Sequence, residues 1–107
     1  MSVPKLNVVN VVHCFKQCKS FVYLTEREEE QLGFAAREFR PLTKFRLGKE
    51  DCFYLGQWRI GKDIIEGRGV IFSKNGTVYE GYVRKNKIDA YGRYVYCSWN
   101  SYQGEFS

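Results

Sequence analysis

A five-residue motif occurs three times in the second half of the chain and limits what that half can fold into. The copies are Tyr54-Leu-Gly56-Gln-Trp58, Tyr79-Glu-Gly81-Tyr-Val83 and Tyr102-Gln-Gly104-Glu-Phe106. Because successive side chains of a strand point to opposite faces, the tyrosine, the glycine and the large apolar residue share one face. Self-similarity at a period of roughly 20 to 50 residues indicates stacked supersecondary units. The motif therefore predicts a series of short strands.

Glycine inside a strand is explained when a neighbouring group needs the room that a side chain would take. We predict that three packing glycines leave slots for aromatic rings from neighbouring strands, namely Gly56, Gly81 and Gly104. The predicted aromatic spine of the sheet, whose members are also the interface candidates, consists of Tyr54, Trp58, Tyr79, Tyr102 and Phe106.

Turn signals separate the predicted strands. Asn75-Gly76 favours positive φ and predicts a tight reversal between two of them. Residues 59–67 and 84–90 are charged and predict longer loops at the opposite edge of the sheet. The predicted fold class is mainly β, an antiparallel single-layer meander of hairpins over residues 44–107. Unpaired edge strands are expected at residues 53–58 or just before them, and at residues 101–106.

The first 43 residues predict a helical docking segment. Thr25 and Glu28 form a capping-box pattern, which favours a helix that starts at Thr25. An apolar face follows at Leu32, Ala35, Ala36 and Phe39, and Pro41 lies just beyond it. These features predict a helix over residues 26–39, packed on the sheet.

Residues 6–21 carry a second helical stripe of apolar side chains, with Lys16 and Lys19 on other faces. This pattern predicts a helix that packs on its own sheet or docks on a partner. The first 25 residues contain no acid, which also resembles a mitochondrial presequence, although they lack arginine.

The register of the motif resembles the MORN family (membrane occupation and recognition nexus), whose pattern YxGxWxxGxxxGxGxxxxxxGxx repeats every 23 residues. The first copy matches at Tyr54, Gly56, Trp58, Gly61, Gly67, Gly69 and Gly76, with two extra residues between Gly61 and Gly67. The second copy is degenerate, since it keeps Tyr79, Gly81 and Gly92 but has Val83, Asn86 and Ala90 at other pattern positions. Two and a fraction copies cover about half of the chain.

The resemblance implies an elongated twisted sheet that serves as a module of cytoskeletal or ciliary scaffolds and carries no reaction of its own. Because the chain has few copies of the motif and unpaired sheet edges, we expect a partner protein to bury part of the sheet. We therefore expect a non-catalytic structural or adaptor subunit of a larger protein assembly, without a cofactor. Its expected location is the cytoplasm, at the cytoskeleton or a cilium, with the mitochondrion as the alternative.

A second hypothesis is a peripheral membrane module. Arg84, Lys85 and Lys87 form a possible lipid-contact loop, and Arg59 and Lys62 lie in the preceding one. Basic side chains near an anionic surface are attracted to it, but acids in the same loops offset part of that attraction. The net charge of +5 fits this hypothesis and a solvated surface equally well.

Three other classes are disfavoured. His13 is the only histidine and has no acid beside it in sequence, and we find no nucleophile or phosphate-loop motif. Cys14 and Cys18 lack a second pair at metal-ligand spacing, since the other cysteines, Cys52 and Cys97, are isolated. Aromatic and basic residues alternate after Gly92, yet tyrosines two residues apart favour one packed face over a nucleic-acid platform.

Overall fold

The computed structural model of the protein describes residues 15, 16 and 20–96. Within them a short helix precedes one antiparallel sheet whose strands lie side by side in chain order. The elements are α1 (Glu26–Gln31), β1 (Arg37–Leu47), β2 (Glu50–Arg59), β3 (Ile65–Ser73), β4 (Thr77–Arg84) and β5 (Lys87–Tyr96). The predicted class, a mainly β antiparallel meander, is confirmed. No helix in the described part is long and apolar enough to cross a membrane.

Each hairpin turn uses residues that accept positive φ. Gly76 at φ 91° follows Asn75, whose side chain accepts a hydrogen bond from the Thr77 N–H at 2.9 Å, so the predicted reversal at Asn75-Gly76 is confirmed. The β4–β5 turn consists of Lys85 and Asn86, at φ 50° and 65°. Residues 84–90 are therefore not the loop we predicted, because a two-residue turn lets both strands run almost to their junction.

The helix starts where the sequence predicts, but it is much shorter. Thr25 caps it with both halves of the capping box, through Oγ1 to the Glu28 N–H and through the Glu28 carboxylate to the Thr25 N–H. Glycine in the left-handed region commonly ends a helix, and Gly33 has φ 69°. The prediction of a helix through Phe39 is wrong, since Ala35 and Ala36 are exposed and Phe39 lies in β1.

The sheet begins at Arg37, so β1 crosses the junction that we placed between residues 43 and 44. It is also the outer strand on that side of the described sheet, which agrees with an edge predicted at or just before residues 53–58. A bulge interrupts its pairing with β2 between Arg40 and Thr43, around Pro41. Proline lacks an N–H for the ladder, and a bulge accommodates it.

Side chains on the two faces of the sheet form two separate cores. The first, on what we call the spine face, contains Cys52, Tyr54, Trp58, Ile65, Ile71, Tyr79 and Val83. The second, on the opposite face, contains Val70, Phe72 and Val78, against which Phe15 packs with its ring centroid 5.6 Å from that of Phe72. Residues 20–36, which we call the strap, pack on this second face through the contacts described below. We call this second face the strap face.

Candidate interaction surfaces

The spine face is built around tyrosine rings that lie against glycines of the next strand. A Cβ added at Gly69 would lie 2.2 Å from Tyr54 Oη, so the Tyr54 ring occupies the space that a side chain would need. Tyr54 Oη donates to the Gln57 carbonyl at 2.8 Å and approaches the Arg68 carbonyl at 3.3 Å. The ring is fully buried although its hydroxyl is polar, because carbonyl groups accept the proton.

The second copy of the motif makes the same contacts. Tyr79 lies against Gly92, where an added Cβ would be 2.3 Å from Oη, and its hydroxyl donates to the Tyr82 carbonyl at 2.8 Å. Burial raises the pKa of Tyr79 to about 12. In both hairpins the strand register shifts directly after the motif glycine, which turns carbonyls of the next strand toward the hydroxyl.

Glycines face one another across four strands. Gly56 pairs with Gly69, Gly69 with Gly81, and Gly81 with Gly92. An added Cβ at Gly56 would lie 2.5 Å from the Gly69 Cα, and one at Gly81 would lie 2.4 Å from the Gly92 Cα. Gly56 and Gly81 thus allow backbones to approach, while the ring slots belong to the glycines of β3 and β5.

Trp58 joins Tyr54 on the same face, with ring centroids 5.5 Å apart. The Arg40 guanidinium covers the Trp58 ring at 4.7 Å and is held by Glu38 and by the Lys62 carbonyl. The Trp58 indole nitrogen is buried without a hydrogen-bond partner in the described region. Of the predicted spine, Tyr54, Trp58 and Tyr79 share one face. Tyr102, Phe106 and Gly104 lie outside the described residues.

The strap face contains buried carboxylates. Glu66 is 1% exposed, accepts the Ala35 N–H at 2.7 Å and forms an ion pair with Arg59 at 2.9 Å. Burial alone would raise the pKa of Glu66, but the bonds from Ala35 and Arg59 hold that pKa below its ordinary value of 4.5. The glutamate thereby fastens the end of the strap to β3.

Two more carboxylates bind the rest of the strap to the sheet. Glu80 accepts from the Tyr23 hydroxyl at 3.2 Å and pairs with Arg93 at 2.8 Å. From the strap, Glu29 forms an ion pair with Arg68 and accepts the Tyr82 hydroxyl. No local sequence pattern marks the partners of these glutamates, which lie 13 to 57 residues away.

The predicted lipid-contact loop contains one cation with internal partners and two exposed ones. The Arg84 guanidinium lies 4.4 Å from the centre of the Phe34 ring, donates to the Leu32 carbonyl and contacts Asp89. Lys85 and Lys87 are exposed at the turn. Arg59 of the neighbouring loop is likewise bound to a buried acid, so two of the basic side chains we associated with lipid hold the strap face together.

Exposed aromatic side chains are concentrated on β1 and β5, the outer strands of the described part of the sheet. Tyr94 and Tyr96 on β5 are 66% and 68% exposed, and Tyr94 packs edge-on against Tyr79. At the other side of the sheet, Phe39 on β1 is 68% exposed and Leu42 is 41% exposed. The large apolar side chains of β3 and β4, between them, are buried. The exposed side chains of β1 and β5 are the candidate interaction surfaces.

The described strands contain one cysteine and no cluster of metal ligands. No cluster of three histidine, cysteine or acidic side chains suits a metal ion within the described residues. Cys52 is a free thiol, but it is 1% exposed and burial raises its pKa, which disfavours the reactive thiolate. Comparison with protein-family models, with curated proteins and with solved structures finds no match to this chain.

Proposed function

We propose that this protein is a non-catalytic structural or adaptor subunit that binds other proteins through the edges of its sheet. The observation that carries the proposal is the distribution of apolar surface, since Tyr94 and Tyr96 on β5 and Phe39 on β1 are each about two-thirds exposed. Large aromatic side chains gathered at a sheet edge are typical of surfaces that a partner buries.

The interior of the sheet supports a mechanical role. Tyrosine hydroxyls bond to carbonyls of their own strand and of the neighbouring one, and three ion pairs tie residues of β2–β5 to one another or to the strap. A framework of this kind keeps exposed edge residues at fixed spacing, which lowers the entropy lost on binding. The resemblance of the motif to MORN scaffolds is the only ground for a cytoskeletal or ciliary setting, which is part of the proposal.

The test is purification of the natively expressed, C-terminally tagged chain in high salt without detergent, followed by cross-linking mass spectrometry. We expect stoichiometric partner proteins, with cross-links to β1 or β5. The variant Tyr94→Ser/Tyr96→Ser is expected to lose those partners that contact β5 while it retains a folded sheet, because both side chains are mostly exposed.

The matched control is Lys85→Ser/Lys87→Ser, which changes two exposed side chains of the β4–β5 turn. It should retain the partners. A chain that is recovered alone, or only from membranes and released by salt, would contradict the adaptor function; the second result would support anionic lipid binding through the turn lysines.

A further inference from the structure

We infer that the outer edge of β1 binds an acidic, extended segment of the partner, which joins the sheet as an additional strand. The inference deepens the proposed function, on which it rests, by naming the edge and the chemistry of its partner. It depends on three properties of β1: a ladder edge that no described residue occupies, exposed apolar side chains, and two cations without an ion pair among the described residues.

The ladder edge is free in the described region. β1 pairs with β2 on one side, and no described residue pairs with it on the other. Every second residue of an edge strand directs its N–H and C=O groups away from the sheet, where they can accept a further strand. The regular stretch after the bulge, from Thr43 to Leu47, provides five residues for such a ladder.

Exposed apolar side chains accompany that edge. Phe39 stands opposite Gln57 in the register and is 68% exposed, and Leu42 in the bulge is 41% exposed. Neither residue belongs to the two cores of the sheet. A bound strand with alternating apolar residues would cover part of this surface and so gain burial in addition to hydrogen bonds.

The charge of β1 determines which partner strands can bind to its edge. β1 carries four cations, Arg37, Arg40, Lys44 and Arg46, against one acid, Glu38. Glu38 is already bound to Arg40, whereas Lys44 and Arg46 form no ion pair with any described residue. Asp51 stands opposite Arg46 in the register and Glu50 opposite the next residue, Leu47, so two acids offset part of this positive potential without an ion pair to Lys44 or Arg46.

A second copy of the same chain is a poor occupant for this edge. Two β1 strands side by side would bring their lysines and arginines together, and like charges directly opposite across a ladder are destabilising. Edge lysines and bulges commonly prevent such self-pairing. The same cations attract a strand that carries glutamate or aspartate. The β1 edge therefore disfavours pairing with a second β1 and favours an acidic partner strand.

The experiment measures binding of a short fluorescein-labelled peptide that alternates glutamate with valine or threonine, by anisotropy at low and physiological salt. Two further probes are a lysine-for-glutamate peptide and an equally acidic peptide with proline at alternate positions, which cannot form a ladder. We expect only the first peptide to bind the full chain and to slow amide hydrogen exchange between residues 43 and 47.

Lys44→Glu/Arg46→Glu is expected to weaken that binding about tenfold, because two attractions become repulsions. The control Lys85→Glu/Lys87→Glu has the same charge change at a distant turn and should bind within about twofold of the wild type. Equal binding of the proline peptide, equal binding by the β1 variant, or dimerisation of the wild-type chain through β1 would overturn the inference.

The partner-capture experiment distinguishes failure of the adaptor function from failure of strand binding at the β1 edge. If the Lys44→Glu/Arg46→Glu chain still captures all of its partners, the protein remains an adaptor but does not use the charge of β1. If the wild-type chain captures none, the adaptor function itself fails, whatever the peptide does.

Discussion

On the spine face, buried tyrosine rings lie against glycines, and their hydroxyls bond to carbonyls of the same and of the adjacent strand. On the strap face, by contrast, buried glutamates contact arginines and a segment from far along the chain. The first set of contacts joins residues about 3 to 14 positions apart within one hairpin. The second set includes Ala35–Glu66, 31 positions apart, and Tyr23–Glu80, 57 apart. One face is thus built from repeated local shape, and the other from single long-range polar contacts.

Filling a ring slot should have the largest effect and tests whether the spine face depends on shape. In Gly69→Val the new Cβ would lie 2.2 Å from Tyr54 Oη and 2.4 Å from its ring, so the ring must leave. Loss of a buried aromatic contact costs about 4 kcal/mol, a large part of the stability of a small domain. The measurement is urea unfolding followed by circular dichroism.

Gly48→Asn is the control, because Gly48 has open space around the position of a Cβ and φ 63°, which asparagine tolerates. It should unfold at nearly the same urea concentration as the wild type. A Gly69→Val protein as stable as the Gly48→Asn protein would refute the slot as the basis of the spine face.

Removing a buried carboxylate tests the strap face. Glu66→Ala leaves the partly buried Arg59 without its acid and the Ala35 N–H without its acceptor. Breaking a buried ion pair in this way costs about 3 kcal/mol, measured by the same urea titration. Asp63→Ala is the control, since Asp63 is 98% exposed and pairs with Arg40 at 3.4 Å. Similar losses in both variants would contradict the special role of the buried acid.

Acid should weaken the strap face before the spine face. The folded-state pKa of Glu66 is below its ordinary value of 4.5, so its contribution to stability is complete above pH 4.5 and is lost as pH falls through the folded pKa. We expect the wild type to lose more stability below about pH 4.5 than Glu66→Gln, which has no charge to titrate. Parallel pH curves for the two proteins would contradict this.

Uncapping the helix should have the smallest effect. Thr25→Ala removes the capping box that positions α1, and with it Glu29, over Arg68 and Tyr82. The expected loss is about 1 kcal/mol, seen as a lower thermal midpoint. Gln31→Ala, an exposed substitution at the last residue of α1, is the control and should be close to neutral. A loss no larger in Thr25→Ala would show that the strap holds the helix without its cap.

The sequence predicted features of the spine face better than features of the strap face. The tyrosine motif and the Asn75-Gly76 turn carry their information within a few residues, and the strands and one shared aromatic face could be read from them. The ring slots could not be assigned to Gly69 and Gly92, because strand pairing, which the motif does not state, decides which glycine lies beneath a ring.

The contacts of the strap could not be predicted, because isolated glutamates and arginines have no periodic pattern that identifies their partners. The overlong helix has a specific cause. Leu32, Ala35, Ala36 and Phe39 match a helical period by coincidence, and Gly33 was the available stop signal. The start of β1 was missed in the same segment, because Pro41 argues against a strand unless a bulge accommodates it.

The order of the strands has a consequence for how the molecule is made. Every strand pairs with its neighbour in sequence, so the meander can form hairpin by hairpin as it is synthesised. The strap leaves the ribosome before the sheet, yet four residues that it contacts come some 50 to 70 residues later, namely Glu80, Tyr82, Arg84 and Tyr91. During translation the strap can therefore dock fully only after these residues have been synthesised. Its docking is the last step by which the nascent chain buries the glutamates of its sheet.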